Sequence, residues 1–297
     1  MMRRRHRRSG LPFLRPLCAA LAAAFWIAAV LPAAAVEIQR VTAGGVEAWL
    51  VEDHANPILS LRIGFRGAGS AADPAEKGGL ARMTAALLDE GAGDLDSQAF
   101  QQKLEDLAIR LSFDADRDNF GGTLTTLAAN RDVAFDLLRL SLTAPRFDAE
   151  PVGRIRSQLE AQLRLGDEDP DTRADRQLWA MLFPDSPYGR PPLGTPDSLR
   201  RIGRADLVRF AGERLARNNI VLGVVGDVTP QQLRTLLQKT FGELRPTAVA
   251  ADVADIQPVV AGKLVVVDMD VPQSAVAFAQ EGLKRSDPRF YVLTVLN

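Results

Sequence analysis

The chain has 297 residues, 46% hydrophobic and 25% charged, with 36 Lys and Arg against 37 Asp and Glu; this is an ordinary globular composition with ample length to bury a core. One Cys, Cys18, and two His, His6 and His54, exclude a disulfide framework and leave too few donors for a self-contained zinc site, which draws mainly on Cys and His. A Ser-His-Asp triad would have to use His54, which sits in the turn sequence Glu52-Asp53-His54-Ala55-Asn56-Pro57 and reads as a solvent-exposed turn residue.

In chain order, residues 1–35 come first. Five Arg lie within the first ten residues, Leu17 to Val30 is almost wholly apolar, and Leu31-Pro32-Ala33-Ala34-Ala35 ends the segment on small residues. That is the pattern of a secretory signal peptide cut after Ala35, which implies a periplasmic or secreted protein. The apolar run is short for an anchor, and Arg15-Pro16-Leu17 before Cys18 does not fit lipidation. Removing the six Arg of this segment leaves 30 bases against 37 acids, a formal charge of -7. Such a balance disfavours nucleic acid as a partner.

Val46 to Val51 and Ile58 to Phe65 read as strands of a hairpin joined at Asp53 to Pro57. Leu59, Leu61, Ile63 and Phe65 alternate with Ser60, Arg62 and Gly64, so one face is buried. Gly67-Ala68-Gly69-Ser70-Ala71-Ala72 resembles the G-x-G-x-x-A dinucleotide fingerprint. Pro74 and the preceding hairpin argue against that unit, and the stretch reads as a plain loop. Glu76 to Glu90 reads as a helix closed by Gly91, and Ser97 to Leu107 as a second. Strands follow at Ile109 to Phe113 and at Phe120 to Leu127. Asn130 is expected to cap a helix running to Thr143 and Asp148 to cap the next, with a Val152, Ile155, Leu159, Leu163 stripe. Another spans Thr172 to Leu182. A Pro/Gly-rich loop runs from Phe183 to Pro196, then a helix from Arg204 to Leu215 and a buried strand from Ile220 to Val225. Thr229-Pro230-Gln231-Gln232 is a capping box with Pro at N1, opening a helix to Phe241. Arg245 to Ala261 reads as a linker. Lys263 to Met269 and Ser274 to Ala279 read as strands, and Ser286-Asp287-Pro288 as the start of a helix still running at Asn297.

The informative stretch is Gly79-Leu80-Ala81-Arg82-Met83-Thr84-Ala85-Ala86-Leu87-Leu88-Asp89-Glu90-Gly91. Taken bare, it is an amphipathic helix. It resembles the first helix of the insulinase/pitrilysin peptidases, in particular the mitochondrial processing peptidase branch. In that family G-x-A-H-x-x-E-H precedes an apolar run and a Gly; two His bind zinc and the Glu activates water. Gly79-Leu80-Ala81, Leu87-Leu88 and Gly91 match. The first His position is Arg82, the Glu position Ala85 and the second His position Ala86. Arg154 to Glu160 resembles the helix whose last Glu is the third zinc ligand. The loop Arg66 to Ser70, Pro145-Arg146-Phe147-Asp148, Pro187-Tyr188-Gly189-Arg190, Leu193-Gly194-Thr195, Asn219 to Asp227 and Phe241-Gly242 extend the resemblance over residues 37 to 297.

The resemblance implies an α+β fold: an antiparallel sheet with packed helices in two similar domains, the second incomplete here. The expected division is a signal peptide at 1–35, an N-terminal peptidase-like domain at 36–244, a linker at 245–262 and the start of a second domain at 263–297. It implies zinc in a partner subunit; the replaced residues leave none to be held by this chain, and an Arg82–Glu160 salt bridge is expected to fill the vacated metal site, the alternative for Glu160 being a surface helix carboxylate. It implies a non-catalytic subunit of a periplasmic heteromeric zinc peptidase that helps to bind unfolded peptides. The alternative is a binding or scaffold protein without a proteolytic partner. A peptidase with different chemistry is disfavoured by the absence of Cys from residues 36–297 and the turn placement of His54.

Overall fold

A computed structural model describes residues 37–249, 253–260 and 262–296; residues 1–35, read from the sequence as a signal peptide, lie outside the described residues. The fold below is that of the unit Ile38–Asn297. The strands are β1 (Gln39–Ala43), β2 (Val46–Glu52), β3 (Ile58–Arg66), β4 (Arg110–Ala115), β5 (Asn119–Leu127) and β6 (Ile220–Gly226). The helices are α1 (Leu80–Ala85), α2 (Ser97–Asp106), α3 (Arg131–Thr143), α4 (Ala149–Glu168), α5 (Pro170–Leu182), α6 (Pro196–Arg201), α7 (Arg204–Arg214), α8 (Pro230–Phe241) and α9 (Phe290–Leu296). No described helix is long and apolar enough to cross a membrane.

The six strands form one sheet in the order β1-β2-β6-β3-β5-β4, so the architecture is the expected α+β sheet with packed helices. Four pairings are antiparallel and one, β2 with β6, is parallel. The expected β2–β3 hairpin does not form. β6 inserts between the two strands, pairing Leu50 with Val224 on one side and Leu61 with Val224 on the other. The five-residue turn leaves β2 and β3 one strand apart, and the apolar run of β6 fills the gap. β1 was not anticipated: QRVTA is too short to show period 2 clearly.

Inward residues of every strand (Leu50, Leu61, Phe65, Leu111, Phe120 and Val224 among them) pack against one side occupied by α1, α3, α7 and α8. On α4, Val152, Ile155, Leu159 and Leu163 are all buried, as their 3.6-residue spacing predicts. At α8 the Thr229 side chain accepts from Gln232 N–H and Gln232 bonds back, completing the anticipated capping box. α6 was missed, although Thr195-Pro196-Asp197-Ser198 carries the same signal and forms the same reciprocal cap.

Two expected caps differ. Asn130 precedes α3, but its amide donates to the Leu107 carbonyl instead. Asp148 precedes α4, but its carboxylate takes the Arg146 guanidinium. The stretches 263–269 and 274–279 are not strands among the described residues. A strand is sustained by ladder partners, and here Leu264, Val266, Val276 and Phe278 are all more than 80% exposed.

Candidate functional site

The site is the neighbourhood of α1, and it starts from the loop before it. Gly67 to Ala72 packs along the β4–β5 turn: the N–H groups of Gly69, Ser70 and Ala71 donate to the carbonyls of Asp118, Asp116 and Arg117. A Cβ on Gly69 would stand 2.4 Å from the Arg117 carbonyl oxygen. Gly69 is therefore set by the touch of two backbones and Gly67 by its φ of +70°, and the stretch is the plain loop the sequence suggested.

The helix is shorter than expected. A 3-10 turn at Ala75–Lys77 precedes it, and α1 proper covers Leu80–Ala85 before the chain continues in turns to Gly91. Its first turn is held by a distant residue. Buried Asp73 accepts from Gly79 N–H at 3.0 Å and from Ala81 N–H at 3.1 Å, satisfying donors that a helix start leaves open. Burial pushes the Asp73 carboxyl up to about 7, against the pull of those N–H groups and of the Arg190 guanidinium.

Gly79 has φ +92°, and a Cβ there would meet the Leu193 carbonyl oxygen at 2.5 Å; on Gly194, with φ +73°, it would meet the Gly78 carbonyl oxygen at 2.0 Å. Ser198 Oγ also donates to the Gly78 carbonyl. The Leu193-Gly194-Thr195 segment is thus the strap under the start of α1. Arg190 completes the frame by donating to the carbonyls of Ala71 and Asp73. Its neighbour Tyr188 reaches Asp118 through its hydroxyl at 2.5 Å, and Arg117 lies 3.7 Å over the Trp179 ring.

Inside this frame, Ala85 is buried, while Arg82, Ala86 and, on α4, Glu160 are partly buried. The expected Arg82–Glu160 salt bridge does not form. Arg82 Nη1 donates instead to the Ala115 carbonyl at 3.3 Å, and Glu160 has no ion-pair partner among the described residues. The reason lies in β4. Asp116 N–H donates to the Asn119 carbonyl, so the next pair, Ala115 with Phe120, is a non-hydrogen-bonded one and the Ala115 carbonyl points to the outer edge. There it offers Arg82 an acceptor on the same side as α1. The same alternation turns the backbone groups of Phe113 and Leu111 to that edge.

This donor set does not fit zinc. Arg82 is a fixed cation, Ala85 and Ala86 carry no donor, and Glu160 alone supplies one oxygen. Among the described residues no three His, Cys, Asp or Glu side chains converge where a metal ion could sit. A cleft of about 700 Å³ borders the frame; Asp73, Phe183, Arg190 and Arg214 line it, and none of the four site positions does.

His54 is exposed, as its turn sequence implied, yet it is engaged. Its Nδ1 is 2.6 Å from Asp227 Oδ1 and its Nε2 is 3.5 Å from Glu52 Oε2. The hydrogen bond to Asp227 raises its pKa above the ordinary value. It lies at the far end of β2, beside the β6–α8 turn, and no Ser hydroxyl bonds it among the described residues.

Comparison with known proteins gives a consistent picture. The family model described as "Peptidase M16 inactive domain" matches residues 201–297. The chain is 30% identical over 202 residues to the non-peptidase homolog YmxG of Helicobacter pylori, covering 68% of this chain and 46% of that protein. It is 24% identical over 232 residues to the mitochondrial-processing peptidase subunit beta of Saccharomyces cerevisiae, covering 77% and 50%. A crystal structure of a peptidase M16 inactive domain from Pseudomonas fluorescens aligns with TM-score 0.69 at 28% identity, over 75% of this chain and 54% of that one. A protease from Helicobacter pylori shares the fold, with TM-score 0.67 at 18% identity over 76% and 55%. The chain spans about half the length of the curated relatives it matches.

Proposed function

Since the chain is a homologue of the insulinase-type M16 peptidases, of the kind that lacks peptidase chemistry, we propose that it is a non-catalytic subunit of a periplasmic, heteromeric zinc peptidase. It contributes to a chamber for unfolded peptides, and a partner subunit of the same family holds the zinc. Cleavage after Ala35 delivers it to the periplasm. Residues 36–244 form its peptidase-like domain, 245–262 the linker and 263–297 the start of a second domain.

The observation that carries this reading is the state of α1. The frame that fixes the helix is built in full (Asp73, Gly79, Gly194 and Arg190), while Arg82, Ala85 and Ala86 can neither hold a metal nor activate water. Beside the helix, β4 is an edge strand with outward N–H and C=O groups at Leu111, Phe113 and Ala115. An extended peptide can add to such an edge by main-chain hydrogen bonds alone, with no catalytic group. Relatives named as a subunit of a processing peptidase support a hetero-oligomer.

The test is capture of the tagged full-length protein from the periplasm, with mass spectrometry. The expected result is a stoichiometric partner of similar size carrying an intact H-x-x-E-H, and peptide hydrolysis only by the pair. Recovery alone, or with an envelope complex that has no peptidase, would replace this reading by the scaffold one. Hydrolysis by the pure chain would overturn both.

A further inference from the structure

The open row along the edge strand β4 is short, and one end of it is closed. Pairing with β5 turns the N–H and C=O groups of Leu111, Phe113 and Ala115 outward. Before this row, the Ile109 N–H already donates to the Leu104 carbonyl. After it, a second backbone covers the chain. Ser70 N–H donates to the Asp116 carbonyl at 2.9 Å, Ala71 N–H to that of Arg117 at 2.9 Å and Gly69 N–H to that of Asp118 at 3.2 Å. A strand laid against β4 therefore has ladder partners from Leu111 to Ala115 and none beyond. The loop from Gly67 to Ala72 makes the slot blind at that end.

Arg82 stands at the blind end. Its Nη1 donates to the carbonyl of Ala115, the last outward acceptor of the row, at 3.3 Å. It has no other hydrogen bond and no ion pair among the described residues. A guanidinium carries several N–H donors in a planar fork, and a carbonyl oxygen has a second lone pair. One long bond thus leaves most of the fork open and does not withdraw Ala115 from a ladder. No neighbour on the strand can fill the fork. Leu111, Phe113 and Ala115 share the helix side and are apolar, while Asp114 points to the opposite face of the sheet. Ala85 and Ala86 on α1 carry no pairing group. An open guanidinium fork matches a carboxylate, which it takes through two parallel N–H···O bonds. A chain that must stop at the blind end presents a carboxylate there, provided that it stops at its C-terminus.

We propose that Arg82 reads the C-terminal carboxylate of a peptide bound along β4. The peptide pairs with Leu111 and Phe113 through its main chain, runs parallel to β4 and ends beside Ala115, where the guanidinium takes its carboxylate. The reverse direction would set an ammonium group against Arg82. This inference rests on the strand addition proposed above and gives it a polarity and an end. The ligand is a chain with a free C-terminus, such as hydrolysis of a peptide bond leaves, rather than an internal loop.

The experiment uses the full-length protein and short, N-terminally labelled peptides of Ser, Thr and Val, with binding read by anisotropy. One peptide is the free acid, one its C-terminal amide, and one an amide with an internal Glu. The free acid is expected to bind about tenfold tighter than the plain amide. In Arg82→Met the free acid should fall to the level of the amide while the amide keeps its affinity, a split that loss of folding would not produce. Arg82→Lys should restore only part of the preference, because an ammonium cannot form the paired contact. Equal binding of acid and amide by the wild type would overturn the inference and leave strand addition standing. Tight binding of the internal-Glu amide would also overturn it, in favour of a side-chain carboxylate. Binding of no peptide would overturn both the inference and the strand addition on which it rests.

Discussion

The frame around α1 and the positions it presents are built to different tolerances. At Gly79 and Gly194 a single methyl group has no room. Asp73 is buried with both carboxylate oxygens engaged. At Arg82, Ala85 and Ala86, one long bond to a strand-edge carbonyl is the only side-chain hydrogen bond among the described residues. The fold needs the frame because backbones cross there. It needs little from the presented positions except small or flexible side chains. Loss of zinc chemistry is therefore compatible with an undisturbed domain.

Substitutions should separate the two. Gly194→Ala is expected to be the most damaging, costing about 3 kcal/mol or more through both φ and the clash with the Gly78 carbonyl; denaturant melts read this directly. Next comes Asp73→Ala, which leaves two α1 N–H groups unsatisfied and should cost about 2 kcal/mol. Asp73 also makes a pH signature. Its ordinary value is 3.8 and its folded value about 7, so the folded state binds an extra proton between these limits and stability falls as pH rises through that window. In Asp73→Asn the slope should become shallower, leaving the part due to Asp89, whose carboxyl is pushed up to about 6 by burial.

Arg82→Ala should change stability by only about 0.5 kcal/mol. A loss as large as that of Asp73→Ala would show that Arg82 belongs to the frame. His54→Ala should be the mildest. The raised pKa of His54 means its pairing stabilises the protein below its ordinary value of 6.5 and is lost as pH rises through the higher folded value. The melting temperature should fall at pH 6 and stay unchanged at pH 9.

Local chemistry was readable from the residues. Period-2 alternation placed β3 and β4, a 3.6-residue stripe placed α4, and Thr229-Pro230 placed α8, because each signal is contained within one element. What lay between elements was not readable. The insertion of β6 between β2 and β3 depends on partners far apart in the chain, and the unpaired stretches after residue 262 show that alternation without a neighbour does not make a strand. The same limit applied at the site. The zinc-motif positions were visible as replaced residues, but the turn of Arg82 toward Ala115 followed from which carbonyls β4 points outward, a matter of register.

The placement of β6 also bears on how the protein is assembled in time. β1 and β2 reach the remainder of the sheet only through a strand that is made about 170 residues later, and such distant pairing slows folding. Until Ile220–Gly226 has emerged, the chain holds two unjoined pieces of sheet with exposed edges. A segment that closes the sheet last keeps the domain open through most of its synthesis.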